Sequence, residues 1–98
     1  MTEKILPRPV VRDGNGKLTS KYNWEDWFLK LQEEIFEAMA AGVEDVAVKE
    51  KVGEELADIV TVCISCLEWL GYDEEERSKI FAAVNAKNEK RGYFREEN

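Results

Sequence analysis

Histidine does not occur in this 98-residue sequence. Its absence removes the Glu-x-x-His pairs of a carboxylate-bridged di-iron bundle and the imidazoles of a zinc hydrolase. Proline occurs twice and glycine six times, so little interrupts a helix-rich chain. Positive charge is the minority: 14 Lys and Arg stand against 21 Asp and Glu, a formal charge of −7. A nucleic acid polymer calls for a basic patch or stripe, so none is expected as a partner. A small polyanion such as a nucleoside triphosphate remains compatible if metal ions stand between it and the protein. Long hydrophobic runs are also missing. The longest, "IVTVCISCLEWL", is too short to span a bilayer and contains Glu68. The opening "MTEKILPRPVV" has no long apolar segment, so no signal peptide is expected. The expectation is a cytoplasmic protein with no membrane association, in which the two cysteines, Cys63 and Cys66, stay reduced.

What is present reads as one all-α domain behind an irregular arm. Residues 1–22 form the arm: Pro7 and Pro9 bracket Arg8, and "RDGNGK" is a turn signal that "ILPRPVV" and "KLTSKY" can flank as a short hairpin. Residues 23–98 form the helical domain, with three main helices. The first starts at Asn23 as N-cap, carries Glu25 and Asp26 in its first turn, and runs to about Ala41, with Gly42 as its stop. Trp24, Trp27, Phe28, Leu31, Ile35, Ala38 and Met39 are its apolar residues. A connector, "VEDVAVKEKV", has some helical character. The second helix runs from about Val52 to Leu70 and ends at Gly71. The third follows Asp73 as N-cap, opens with Glu74, Glu75 and Glu76, and reaches about Arg91 before Gly92.

Several acids break the expected segregation of charge from core. A helix turns about 100° per residue, which puts Glu34 and Glu37, spaced i,i+3, side by side along the border of the Leu31–Ile35 stripe. Glu33 points the other way, to solvent. On the second helix, Glu55 falls inside the stripe Val52, Leu56, Ile59, Val62 and Asp58 lies on its edge, again at i,i+3. Two such pairs on antiparallel helices converge on one place. One reading is that they are solvated or paired with lysines. The other is a divalent cation, for which oxygen-only ligands suit Mg²⁺, with Mn²⁺ as substitute. Lys30 alone cannot neutralise four carboxylates.

The third helix carries the opposite sign at its end. Lys87 and Arg91 continue the inner line of Ile80 and Val84, flanked by Asn85 and Asn88. Such a basic end suits a bound phosphate, or simply favours the helix dipole. On the second helix, Val60, Ile64 and Leu67 make a further apolar face that leaves only Thr61, Ser65 and Glu68 as a polar strip. A helix apolar on nearly all sides needs burial on both, which points to a homodimer or homotetramer completing four-helix-type bundles. Cys63-Ile64-Ser65-Cys66 lies mid-helix with both sulfurs on the core side, where cysteines pack rather than react.

Glu33-Glu34-x-x-Glu37 followed by Glu55-x-x-Asp58, in the contexts "KLQEE" and "EELADIV" and with a late "N-x-K…RGYF" element, resembles the EExxE…ExxD signature of MazG-like nucleoside triphosphate pyrophosphohydrolases, members of the all-α NTP pyrophosphatase superfamily. The resemblance covers about residues 24–94. It implies a magnesium-dependent hydrolase that converts a (d)NTP to (d)NMP and pyrophosphate as a nucleotide-pool house-cleaning enzyme. Glu34, Glu37, Glu55 and Asp58 would then be metal ligands, and Glu33 an outer-shell or water-orienting group beside Glu34. Lys30, Asn85, Lys87, Asn88 and Arg91 would meet phosphate or sugar, and Trp27 or Trp24 would stack on the base unless they are core aromatics. Small members usually begin with a helix before the EExxE helix, and residues 1–22 do not read as one. A non-catalytic helical assembly protein of the same fold and a phosphoribosyl-ATP pyrophosphatase-like enzyme are the alternatives.

Overall fold

The computed structural model describes residues 5–43 and 48–96. The chain is all-α: α1 spans Trp24–Val43, α2 Val48–Trp69 and α3 Glu74–Lys90, preceded by a single 3-10 turn at Thr19–Lys21. The caps are those that the side chains dictate. Asn23 Oδ1 accepts from the Asp26 N–H at 2.9 Å and Asp26 Oδ2 accepts from the Asn23 N–H at 3.0 Å, a reciprocal box that opens α1. Asp73 and Glu76 make the same box for α3. Gly71 and Gly92 take positive φ, +100° and +77°, and close α2 and α3. Gly42 does not stop α1, which continues through it to Val43. Glycine permits the left-handed turn without forcing it, and Gly42 is not among the positive-φ residues. Helical structure also begins at Val48 rather than Val52, so the second half of the expected connector belongs to α2. Residues 44–47 of that connector lie outside the described residues.

Among the described residues, α1 and α2 are the helix pair in extensive contact. They run antiparallel, since Trp24 meets Trp69 at one end of the pair while Glu34 and Glu37 meet Glu55 towards the other. The core is small and largely aromatic. Tyr22, Trp27 and Val62 are buried, and Leu31, Cys66 and Trp69 pack against them. Trp27 holds the edge of Tyr22 at 4.8 Å and lies 6.1 Å from Trp69. Each such aromatic contact adds roughly 0.5–1.5 kcal/mol beyond its buried area.

The arm packs against α2. Its turn is a reduced hairpin, with one bridge between Arg12 and Leu18 and no strand. Val10 N–H donates to Ser65 Oγ at 2.9 Å, Thr19 Oγ1 donates to the Val10 carbonyl at 2.8 Å, and Ser65 Oγ donates to the Thr61 carbonyl at 2.7 Å. The polar strip of α2 is therefore the arm's docking line rather than a solvent face: Ser65 is buried. Ile64 is buried as well, beside a cleft shared by Leu6, Pro7 and Phe81. That corrects the expectation that Ile64 belongs to an interface between chains. Of the expected second apolar face, Val60 alone stays exposed. Arg77 of α3 is buried and donates from Nη1 to the Tyr72 carbonyl at 2.7 Å, which fixes the α2–α3 corner.

Ser65→Ala removes the acceptor for the Val10 N–H. A buried hydrogen bond lost with its donor left unpaired costs about 1–3 kcal/mol. The expected result is a lower denaturation midpoint together with faster amide exchange at Val10 and Thr19. Unchanged exchange at those two amides would show that the arm is held by other contacts.

Candidate metal and phosphate site

Three carboxylates meet at the α1–α2 seam. Glu34, Glu37 and Glu55 each offer an oxygen, and the three atoms lie within 4.8 Å of one another. Helical spacing places the first two on one side of α1, and the antiparallel pairing brings Glu55 across from α2. Glu55 is 9% exposed, as its position inside the apolar stripe foretold. Glu34 is half-buried and Glu37 exposed, so the group opens to solvent on one side.

Lysines answer part of this charge. Lys30 Nζ lies 4.0 Å from Glu34 Oε1 and Lys51 Nζ 3.4 Å from Glu55 Oε1, both at i,i+4. In the second pair the Lys51 side chain is well exposed while the Glu55 carboxylate is nearly buried. Neither lysine reaches the other oxygen of its partner. Glu34 Oε2 and Glu55 Oε2 are both buried without a hydrogen-bond partner. Two orphaned anionic oxygens on facing helices are costly unless a cation or proton joins them. Burial, and next the charge of Glu37, push the Glu34 carboxyl above its ordinary range, with Lys30 opposing and Asp58 adding to the rise. The donor set is oxygen only, two or three carboxylates open on one side, which fits Mg²⁺ or Mn²⁺.

The remaining candidates fall into three groups. Asp58 is exposed and outside the three-carboxylate group, yet near enough for its charge to act on Glu34. Glu33 is exposed and lines a separate cavity beside the arm with Lys30; it is not brought into the carboxylate group, because one residue along a helix is about 100° of rotation away. Trp27 is 2% exposed and packed by Tyr22 and Trp69, so it is a core residue with no ring face free for a base. Trp24 and Phe28, stacked at 5.6 Å, are the exposed aromatics of that end. On α3, Asn85, Lys87 and Arg91 are exposed and Asn88 half-buried. Among the described residues none of these four makes a side-chain hydrogen bond or ion pair with the acids. Arg91 lies 5.9 Å over the Tyr93 ring instead. Their expected convergence needs α3 to pack along the α1–α2 seam, and it does not do so within one chain.

Sequence reasoning missed Lys51 and the arm residues that face α1. Lys51 was open to discovery through its i,i+4 spacing to Glu55. The arm contacts cross the chain and carry no such periodic signal. The cysteine expectation also changes: Cys66 packs on the core, but Cys63 is exposed. Partial burial of the sulfurs raises both thiols above their ordinary value, which favours the protonated form. No helix among the described residues is long and apolar enough to cross a membrane. Comparisons with protein-family models, curated proteins and solved structures find no match to this chain.

A native carboxyl raised above its unfolded value binds its proton more tightly in the folded state. Its stabilising contribution is complete below the unfolded value and is lost as pH rises through the raised native one. Metal-free Glu34→Gln should therefore be more stable than wild type at neutral pH, and the two should converge near pH 4. Denaturant midpoints measured across that range check this. A difference that stays constant with pH would mean that Glu34 is not held in a charge-averse place.

Proposed function

We propose that this protein is a magnesium-dependent nucleoside triphosphate pyrophosphohydrolase, cleaving a (d)NTP to (d)NMP and pyrophosphate. The observation that carries the reading is the pair of buried, unpartnered oxygens Glu34 Oε2 and Glu55 Oε2, contributed by facing helices at the two acid motifs of the signature that the sequence resembles. Glu34, Glu37 and Glu55 would hold the cation, with Asp58 at its open side. When bound, Mg²⁺ supplies charge neutralisation for the polyphosphate and Lewis acidity at phosphorus.

The chain's own groups do the rest. Phosphoryl transfer chiefly needs positioning and charge stabilisation. Lys30, on the rim beside Glu34, offers its ammonium to a phosphate oxygen. Water forms a new P–O bond at one phosphorus flanking the α–β bridge, the bridging P–O bond breaks, and pyrophosphate leaves. Asp58, exposed and adjacent, is placed to take the proton and pass it to solvent. Glu33, lying beyond Lys30, is left out of the chemistry. The reducing cytoplasm suits two free, raised-pKa thiols and is the proposed location.

A second copy of the chain belongs to this reading. Accessible surface is 8235 Å² for 11.3 kDa, where a compact monomer of that mass shows roughly 5,700 Å². The radius of gyration is 16.0 Å, against about 13 Å for a compact domain of this length. Phe28, Phe36 and Met39 of α1 and Leu56 and Val60 of α2 stand about half exposed or more. A stable interface removes about 1,600 Å² in total, which fits within the excess. A homodimer, or a homotetramer, would cover this surface and complete a four-helix bundle. A non-catalytic assembly protein shares these apolar faces but gives no account of the paired unpartnered oxygens.

Two outcomes are expected. With Mg²⁺ and a panel of nucleotides, wild type should release pyrophosphate, and Glu55→Gln should lose at least about a hundredfold, as expected for removal of an electrostatic stabiliser of the transition state, while staying folded. Retention of most activity by that variant would remove Glu55 from the site. Light scattering at micromolar concentration should give a dimer or larger, and Val60→Lys should shift it towards monomer. A monomeric wild type would sink the assembly.

A further inference from the structure

The arm builds a second polar feature next to the acid group. The Asp13 carboxylate ties the turn together: Oδ1 accepts from the Asn15 and Lys17 N–H groups, each at 2.9 Å, and Oδ2 accepts from the Tyr22 hydroxyl at 2.7 Å. Those bonds, the Tyr22 contact first, hold the Asp13 carboxyl below its ordinary range. Tyr22 is buried against Trp27, so the turn is anchored to the core. Gly16, at φ +84°, lets the chain reverse there. Lys17 Nζ reaches Asp26 Oδ2 at 3.3 Å and pins the turn to the start of α1.

Between this turn and α1 lies a cavity of about 320 Å³, within the size range of small-ligand sites. Asp13 and Asp26 on its wall are already satisfied by protein groups. The lining groups left for a ligand are the Asn15 amide, the Glu33 carboxylate, the Lys30 ammonium and the Leu29 side chain. A mainly polar wall with an amide, a hydroxyl acceptor and one cation, and with Leu29 as its apolar part, suits a hydrogen-bonding ring system with an anionic tail. Lys30 is common to both places, lining the cavity and standing 4.0 Å from Glu34. Along α1 the cavity is centred near Leu29–Lys30 and the acids near Glu34–Glu37. The axial part of that offset is about 9 Å at 1.5 Å per residue, with a further rotation about α1 between the two, a separation that an extended triphosphate with its sugar would bridge.

We propose that the turn Asp13–Lys17 is the nucleoside-recognition wall of the site, supplied by the same chain. Asn15 reads the base edge, Leu29 supports its face, Glu33 accepts from a sugar hydroxyl, and Lys30 takes the phosphate nearest the sugar. This rests on the pyrophosphohydrolase reading and gives the nucleoside end of its substrate a place.

Titration calorimetry with Mg²⁺ and two probes separates the ideas: a non-hydrolysable nucleoside triphosphate, and inorganic tripolyphosphate, which lacks the nucleoside. Asn15→Ala removes an exposed contact with no fold cost. Tyr22→Phe keeps the core ring and releases Asp13. Each should weaken the nucleotide about three- to tenfold, as expected for one or two hydrogen bonds, and leave tripolyphosphate unchanged. Wild-type nucleotide affinity in both variants would overturn the proposal and leave the pyrophosphohydrolase reading standing. A parallel loss for tripolyphosphate would also overturn it, placing the arm's effect at the acids. If wild type binds neither probe with Mg²⁺, the pyrophosphohydrolase reading fails and the wall falls with it.

Discussion

Two carboxylate oxygens that no protein group satisfies, Glu34 Oε2 and Glu55 Oε2, are the constraint to which the α1–α2 seam is built. A buried carboxylate oxygen without a hydrogen-bond donor is costly. One such oxygen sits on each of the facing helices, and the exposed Glu37 joins the same group. Lys30 and Lys51 each approach the other oxygen of one glutamate, so they moderate the charge without removing it. The seam is thus graded along its length. Aromatic packing of Trp24, Trp27 and Trp69 closes one end, and the carboxylates of Glu34, Glu37 and Glu55 occupy the other.

Two helices bury one seam and no more. The core of Tyr22, Trp27 and Val62 with its neighbours is small for 98 residues. The arm adds a partial third layer by hydrogen bonding rather than by apolar mass, through Ser65, Thr19 and Asp13. α3 is held chiefly at its first turns, where Arg77 and Phe81 meet the α2–α3 corner and the proline-flanked arm. Many apolar side chains, Phe28, Phe36, Met39 and Leu56 among them, stay outside that core.

The arm also joins fold to chemistry. Tyr22 belongs at once to the core and to the Asp13 turn. A device that stabilises α1 at its N-terminus therefore also places Asn15 and Lys17 opposite Leu29, Lys30 and Glu33. The loop and the acids are positioned independently, because the acids depend on helical spacing and the loop does not.

The helices were legible in the sequence because their signals are local. Asn23 and Asp73 cap, Gly71 and Gly92 stop, and i,i+3 spacing places Glu34 with Glu37; each follows from a few adjacent residues and about 100° per step. Glu55 was legible as buried because it interrupts an apolar stripe. Tertiary structure alone decided the rest. Ile64 and Ser65 are covered by the arm, Trp27 is closed off by Tyr22 and Trp69, the arm builds a cavity over Glu33, and Lys87 and Arg91 stand away from the acids. Each of these depends on contacts between residues far apart in the chain, such as Val10 with Ser65. Helical periodicity fixes which way a side chain points from its own axis. Which neighbour occupies that direction is set by packing, and for this chain the packing is decided by a non-periodic arm.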